Sequence, residues 1–301
     1  MRVQTRPAAS RLDALAVGTM VLLCTVWAVQ QVAGKVALSE GIPPILQALI
    51  RSAVAGPLVV AWLALRRGRR GLAALFAADG TLWPGALAAS LFALEFVLLF
   101  EGIKLSSASR AVVILYTAAF FTALGGHLLL PGERLRPINA LGLLLAFAGV
   151  AATIGGGGSG SALGDALVLG AAAAWGFTTV TIKASRALMA ASAEKVLAYQ
   201  LLGSMPVLLV VAWASGELIV PHATALAWLS LLYQCVIVAF ASYLTWFWLI
   251  SRYPAGRLAA FSFLTPLFGV LAAALLLGDP VTPMLLVGLV CVGVGLRLVN
   301  R

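Results

Sequence analysis

Residues 14–35 read ALAVGTMVLLCTVWAVQQVAGK, and this stretch decides the fold class. From Ala14 to Ala33 no charge interrupts the run, and its length matches the ~20 residues a helix needs to cross the hydrocarbon core of a bilayer. Arg2, Arg6 and Arg11 precede it as they would precede a secretory leader, but a leader's apolar core is only about 7–15 residues long. The segment is therefore expected to be a retained first membrane helix.

The rest of the chain repeats the pattern. Of 301 residues 62% are hydrophobic and 10% charged, with mean hydropathy +1.06; soluble domains have roughly 45–50% and about 25%. That balance excludes a soluble globular enzyme. Ten apolar segments of spanning length are expected at 14–34, 43–65, 83–103, 107–130, 137–154, 163–184, 194–214, 226–250, 255–277 and 280–299. Polar backbone groups in lipid must be satisfied within each segment, so the segments are helices. A membrane β-barrel would need short alternating strands, which the sequence lacks. The longest connection, Arg66 to Leu82, leaves no room for a domain outside the membrane.

The charge balance is 20 basic against 10 acidic residues. In a soluble chain +10 would suggest nucleic acid; here the distribution decides, because membrane proteins keep Lys and Arg in cytoplasmic loops. With a cytoplasmic N-terminus, 16 of the 20 basic residues fall inside, among them Arg66, Arg67, Arg69, Arg70, Arg134, Arg136, Lys183, Arg186, Lys195 and Arg252. Lys35, Lys104 and Arg110 fall outside and Arg51 lies within the second span. One missed helix would scramble this asymmetry. It supports ten spans, both termini cytoplasmic, and no nucleic-acid partner. Asp279 before Pro280 is expected to cap the tenth helix, and Ser192 the seventh, with Glu194 in its first turn.

The two halves align on each other. Trp27 and Lys35 match Trp175 and Lys183, Arg110 matches Arg257, and Gly132, Pro137, Gly142 and Gly149 match Gly278, Pro283, Gly288 and Gly295 at an offset of 146. Five helices per half is an odd number, so the second half enters from the opposite side. The expected fold is an all-α membrane protein of ten transmembrane helices in two inverted five-helix repeats, joined by a glycine-rich linker at 155–162 on the periplasmic side. Such repeats build many secondary transporters, with the substrate near the midplane between them.

Familiar enzyme signatures are missing. Cys24, Cys235 and Cys291 lie apart in apolar runs and make neither a disulfide framework nor a zinc site. His127 and His222 are too far apart in the topology to share a metal, and Gly155, Gly157 and Gly160 fit GxGxxG without the strand a dinucleotide site requires. No GxSxG, HExxH or P-loop occurs. No cofactor or metal is implied.

Candidate functional residues come from depth. Trp62, Trp83, Trp213 and Trp228 lie at helix ends, where interfacial tryptophan is ordinary, whereas Trp27 and Trp175 fall near mid-span and are repeat-related. They either line a cavity or pack. Gln31 and Thr179, each one turn further on, share their faces. Tyr116, Ser242, Tyr243, Ser262 and Phe263 form a second polar and aromatic set, whose serines could equally join helices. Arg51 and Glu95 lie at matching depth and are expected to form an intramembrane ion pair, completed by Gln47; alternatively Glu95 contacts substrate or couples protons. Gly142, Ala146, Gly288 and Gly295 permit close packing, and Pro57, Pro206 and Pro266 interrupt helices.

Over nearly its whole length the chain resembles the drug/metabolite transporter superfamily, of the ten-helix EamA type. The residues that carry the resemblance are the Trp-x7-Lys end of each half's first helix and the segments Gly132-Glu133 through Gly149 and Leu264-Thr265-Pro266 through Gly278-Asp279 to Gly295. Ala118 and Ala119 stand where the pattern usually carries proline, and Asp279 where it carries glutamate. The resemblance divides the chain into a first EamA-type repeat at 1–154 and a second at 163–301. The overall look is similar to the family's YddG-type aromatic amino-acid exporters. That implies a multi-pass protein of the bacterial inner membrane, monomer or homodimer, with a central cavity lined by helices one, three, four, six, eight and nine. It would export amino acids or related metabolites by alternating access; efflux of amphipathic drugs or another metabolite is the alternative, and an intramembrane enzyme a distant third.

Overall fold

The computed structural model describes residues 13–130, 135–155, 160–219, 222–250, 252, 253, 258, 261 and 264–299. The secondary structure described is helical: α1 (Ala14–Ser39), α2 (Pro44–Leu75), α3 (Leu82–Leu105), α4 (Ala108–Leu115), α5 (Ala118–Leu129), α6 (Pro137–Gly155), α7 (Ala162–Ala184), α8 (Arg186–Ala190), α9 (Ala193–Ala214), α10 (Ala225–Leu232), a π-helical stretch (Tyr233–Ser242), α11 (Tyr243–Ile250), α12 (Leu264–Leu277) and α13 (Pro283–Val299). Eight segments are long and apolar enough to span a bilayer, counting α4 with α5 and α10 with the π-helical stretch and α11, and α12 and α13 are shorter apolar helices. The chain is a ten-helix, multi-pass membrane protein.

Hydrogen bonds at helix ends confirm that the spans alternate in direction. At one end of the bundle Thr224 N–H donates to the Glu40 carbonyl (3.1 Å), Ser161 N–H to the Leu105 carbonyl (3.0 Å), Ile45 N–H to Glu217 (2.7 Å) and Ser109 N–H to Asp279 (2.9 Å). At the other, Tyr253 Oη donates to Asp13 (2.8 Å), Lys195 Nζ to Asp79 (2.9 Å) and Asn139 Nδ2 to the Leu298 carbonyl (3.1 Å). Each bond also satisfies a group that a helix terminus or a turn would otherwise bury unpaired.

Helix starts follow side-chain caps. Asp13 accepts from Ala16 N–H (2.8 Å), Ser161 from Gly164 N–H (3.0 Å) and, as expected, Ser192 from Lys195 N–H (3.2 Å). The tenth helix departs from expectation. Thr282 is its cap, accepting from Leu285 N–H at 3.1 Å, and Pro283 its first residue. The Asp279 carboxylate is engaged instead by the N–H and hydroxyl of Ser109 at 2.9 and 3.0 Å, tying the turn before the tenth span to the start of the fourth. The basic segment after the second span also differs: it stays helical to Leu75 after a break at Gly68, whose φ of 57° suits only glycine among common residues. Pro57 and Pro206 lie inside α2 and α9, whereas Pro266 is only the third residue of α12.

Packing maps onto itself when the halves are exchanged. α6 runs along α13 and α2 along α9, each pairing equivalent helices; α3 against α7 mirrors α1 against α10 and the π-helical stretch; α1 against α12 mirrors α7 against α5. This is the signature of an inverted repeat. The α6–α13 crossing uses the repeated glycines: a Cβ on Gly295 would lie 2.7 Å from the Gly142 carbonyl, and one on Gly149 would lie 2.7 Å from Cys291 Cβ. Pro137 and Pro283 begin the two helices. Their small-residue faces are thus consumed within the chain.

Polar anchors close the bundle. Arg110 and Asp165, both buried, form an ion pair that also accepts the Ser106 hydroxyl (2.7 Å), while Arg110 Nη2 reaches the Ile154 carbonyl (3.2 Å). The sequence reading had placed Arg110 on the outer side, at the start of the fourth span, without a partner. At the opposite end Lys195 Nζ donates to the Ala74 and Ala77 carbonyls (both 3.1 Å) and to Asp79.

Two outcomes follow. Asp165→Asn strands a buried guanidinium and lowers stability in detergent by about 3–5 kcal/mol, most of which returns in the Arg110→Met/Asp165→Leu double variant; equal losses would mean the pair contributes no coupling. The Thr81 hydroxyl and the Lys195 ammonium hold the Asp79 carboxyl down at about 2 against an ordinary 3.8. The folded value being the lower, this clasp stabilises the fold above about pH 4 and is lost as pH falls toward 2. Thermal midpoints of Asp79→Asn should therefore fall less steeply than wild type across that window.

Candidate functional site

The fourth span breaks at its middle. α4 is buried along its entire length, ends at Leu115, and α5 begins at Ala118; between them the Ile114 carbonyl accepts both the backbone N–H (3.0 Å) and the hydroxyl (2.6 Å) of Thr117. The break turns Tyr116 to the centre of the bundle, where its ring meets Trp175 edge-on with centroids 5.9 Å apart and planes at 84°. Interrupted helices and π-helical segments both recur at functional sites, and the eighth span supplies the second kind. Its π-helical stretch places Gln234 and Ser242 on buried positions and leads directly into Tyr243.

Trp27 Nε1 donates to Ser242 Oγ (2.8 Å), and Ser242 passes its own proton to the Val238 carbonyl (2.6 Å). The Trp27 ring packs edge-on against Trp246 at 5.8 Å. Trp27 and Trp175 therefore meet different partners. Arg51, fully buried, donates from Nη2 to Tyr243 Oη (2.8 Å) and stacks its guanidinium 3.9 Å from the centroid of Phe96. A desolvated stack of this kind contributes about 2 kcal/mol.

Several expectations change. Arg51 and Glu95 make no salt bridge within the 4.0 Å limit among the described residues; Phe96 and Tyr243 occupy the guanidinium instead. Gln47 does not turn to Arg51: it donates to the Gly34 and Ile42 carbonyls (3.3 and 3.0 Å) and accepts from Gln234 (3.2 Å). The Thr179 hydroxyl bonds the Trp175 carbonyl (3.2 Å) on its own helix. Gln31 is buried on the inward face of α1. Ser262 and Phe263 lie outside the described residues. Sequence reasoning missed Trp246, Gln234 and Thr265. A lone amide in LLYQCVIVAF, residues 231–240, was the signal for Gln234.

The centre differs from the helix ends in one respect. Gln31 Oε1, Arg51 Nε and Nη1, Glu95 Oε2, Gln234 Oε1 and Thr265 Oγ1 are buried without a hydrogen-bond partner among the described residues. They come from five spans of both halves. Native interiors leave few such groups. Among the described residues no cluster of His, Cys, Asp or Glu is suited to a metal ion.

An inverted pair of five-helix halves around a buried polar centre, with little structure beyond the bilayer, defines the class of multi-pass membrane transporters. The chain belongs to the EamA-like transporter family, which it matches twice, over residues 14–155 and 162–301. It is similar to the "Uncharacterized transporter YvbV" of Bacillus subtilis, 30% identical over 93% of this chain and 90% of that one. It is 32% identical to the "Probable amino-acid metabolite efflux pump" of Salmonella typhimurium, over 68% of this chain and 71% of that one. A solved crystal structure shares the fold with a TM-score of 0.66, at 22% identity, over 96% of this chain and 98% of that chain.

The Trp27–Ser242 bond gives a prediction. Ser242→Ala strands a partly buried indole N–H and should cost about 1 kcal/mol in detergent, while adding Trp27→Phe to it restores part of that loss. Additive losses would show that the bond contributes nothing.

Proposed function

We propose that the protein exports amino acids and related metabolites, aromatic and other apolar ones included, across a bacterial inner membrane by alternating access between its two inverted halves. The observation that carries this reading is the bundle's interior, where the aromatic pairs Trp27–Trp246 and Tyr116–Trp175 and the Arg51–Tyr243 bond accompany buried polar atoms of both halves that have no partner among the described residues. A solute with an apolar side chain and a polar head matches both parts. Two similar bacterial proteins carry the name "Probable amino-acid metabolite efflux pump". The distribution of basic residues puts both termini in the cytoplasm. The linker at 155–162 then faces the periplasm, and lipid is the surrounding partner; a monomer or a homodimer fits. No cofactor or reaction chemistry enters, and the solute leaves as it arrived.

Purified protein in liposomes should release preloaded labelled amino acids faster than protein-free liposomes. Trp27→Ala and Trp175→Ala should shift the order of preference among aromatic and aliphatic amino acids by about tenfold, the scale of a lost apolar contact in a pocket. Flux of amphipathic cations with none for a broad amino-acid panel would establish drug efflux in its place.

A further inference from the structure

Arg51 and Glu95 are the two ionisable side chains of the centre, and neither is explained by the fold. Arg51 has no exposed surface, yet only Nη2 is hydrogen-bonded; Nε and Nη1 have no partner among the described residues. Glu95 is 6% exposed with Oε2 unpartnered. Charges inside a membrane protein usually pair with one another or serve transport, and these two stand apart by more than salt-bridge distance. The other buried ions described here behave differently: Arg110 meets Asp165, and Lys195 meets Asp79.

The arrangement holds one basic and one acidic side chain on consecutive spans, α2 and α3, with Arg51 bonded to the eighth span through Tyr243. Phe92 and Phe96 carry the guanidinium on their rings, at 5.9 and 3.9 Å, and Tyr243 fixes one of its nitrogens. That leaves the Nε and Nη1 donors free on two different edges of the guanidinium, each able to give a carboxylate oxygen one charge-assisted bond. The free oxygen of Glu95 complements a cationic amine.

We infer that Arg51 and Glu95 form a head-group site for zwitterions, Arg51 taking the α-carboxylate through a free guanidinium N–H and Glu95 taking the α-ammonium, while the side chain extends toward the aromatic centre. The inference rests on the export reading and adds a selection rule to it: a solute needs both charges of an amino-acid head, whatever its side chain. Both groups are closed off from solvent, so the solute reaches them when the halves part. A bound head group neutralises both buried charges at once, whereas a solute with one charge leaves the other stranded.

The test uses three probes that share one ring. L-phenylalanine has both charges, 2-phenylethylamine lacks the carboxylate and 3-phenylpropionate lacks the ammonium. In competition against labelled L-phenylalanine on the purified wild-type protein, the amine and the acid should each compete at least about tenfold less well than L-phenylalanine, because each leaves a buried partner unpaired. Arg51→Gln should bring L-phenylalanine and 2-phenylethylamine together, and Glu95→Gln should do the same for L-phenylalanine and 3-phenylpropionate; Arg51→Lys should recover part of the carboxylate preference. If a variant does not fold, as judged by thermal unfolding, the wild-type ranking decides alone. Equal competition by all three probes, or folded variants with unchanged ratios, overturns the head-group site while flux of L-phenylalanine through liposomes leaves the export reading standing. Absence of binding and flux for every amino acid tried overturns both.

Discussion

A polar group buried in a membrane protein has no water to fall back on, and each one left unpaired costs about 1–3 kcal/mol. The bundle's ends are organised around that cost. Lys35 Nζ donates to the last carbonyls of the third span at Ile103 and Ser106 (both 2.7 Å), Lys195 does so at the end of α2, and Glu217 accepts the first free N–H of α2 at Ile45. The Lys of the Trp-x7-Lys pattern in the first half is thus a cap for a neighbouring helix. Against this economy the centre stands out, because there six polar side-chain atoms have no partner among the described residues. Where stability is forgone so consistently at one place, function is the physical explanation.

The inverted repeat gives the ends a second meaning. Asp13 and Ser161 cap the first helix of their respective halves, and each is hydrogen-bonded to the turn after the third helix of the other half, at Tyr253 and at Leu105. Exchange of the halves turns one latch into the other, on opposite faces of the bundle. The proposed alternation needs such a pair: opening one face releases one latch while the other holds. Arg110, Asp165 and Ser106 reinforce the latch on the face away from the Arg66–Arg70 segment.

Much of this was legible in the sequence because lipid makes composition and length decisive. The ten spans and their alternating direction follow from apolar run length and charge placement; the small residues of α6 and α13 signalled close packing, and the structure supplies the partner, which is each other. What a single sequence did not yield was orientation of side chains around each helix. Arg51 and Glu95 have the same depth, which suggested a pair, but rotation about α2 and α3 sets Arg51 against Phe96. The break at Tyr116 was equally hidden, since no proline or glycine marks it. Asp279 illustrates the converse: a sound local capping signal yields to a distant partner, Ser109, when two turns are packed together.

The central claim is that the two halves move against each other around the shared polar centre. Spin labels at Leu15 and Arg252 report one face, and labels at Leu105 and Leu163 report the other; all four positions are exposed. Pulsed dipolar distances in liposomes, recorded with and without L-phenylalanine, should show the two pairs changing in opposite senses, one widening as the other narrows. Distances that stay fixed, or that widen and narrow together, would contradict the account.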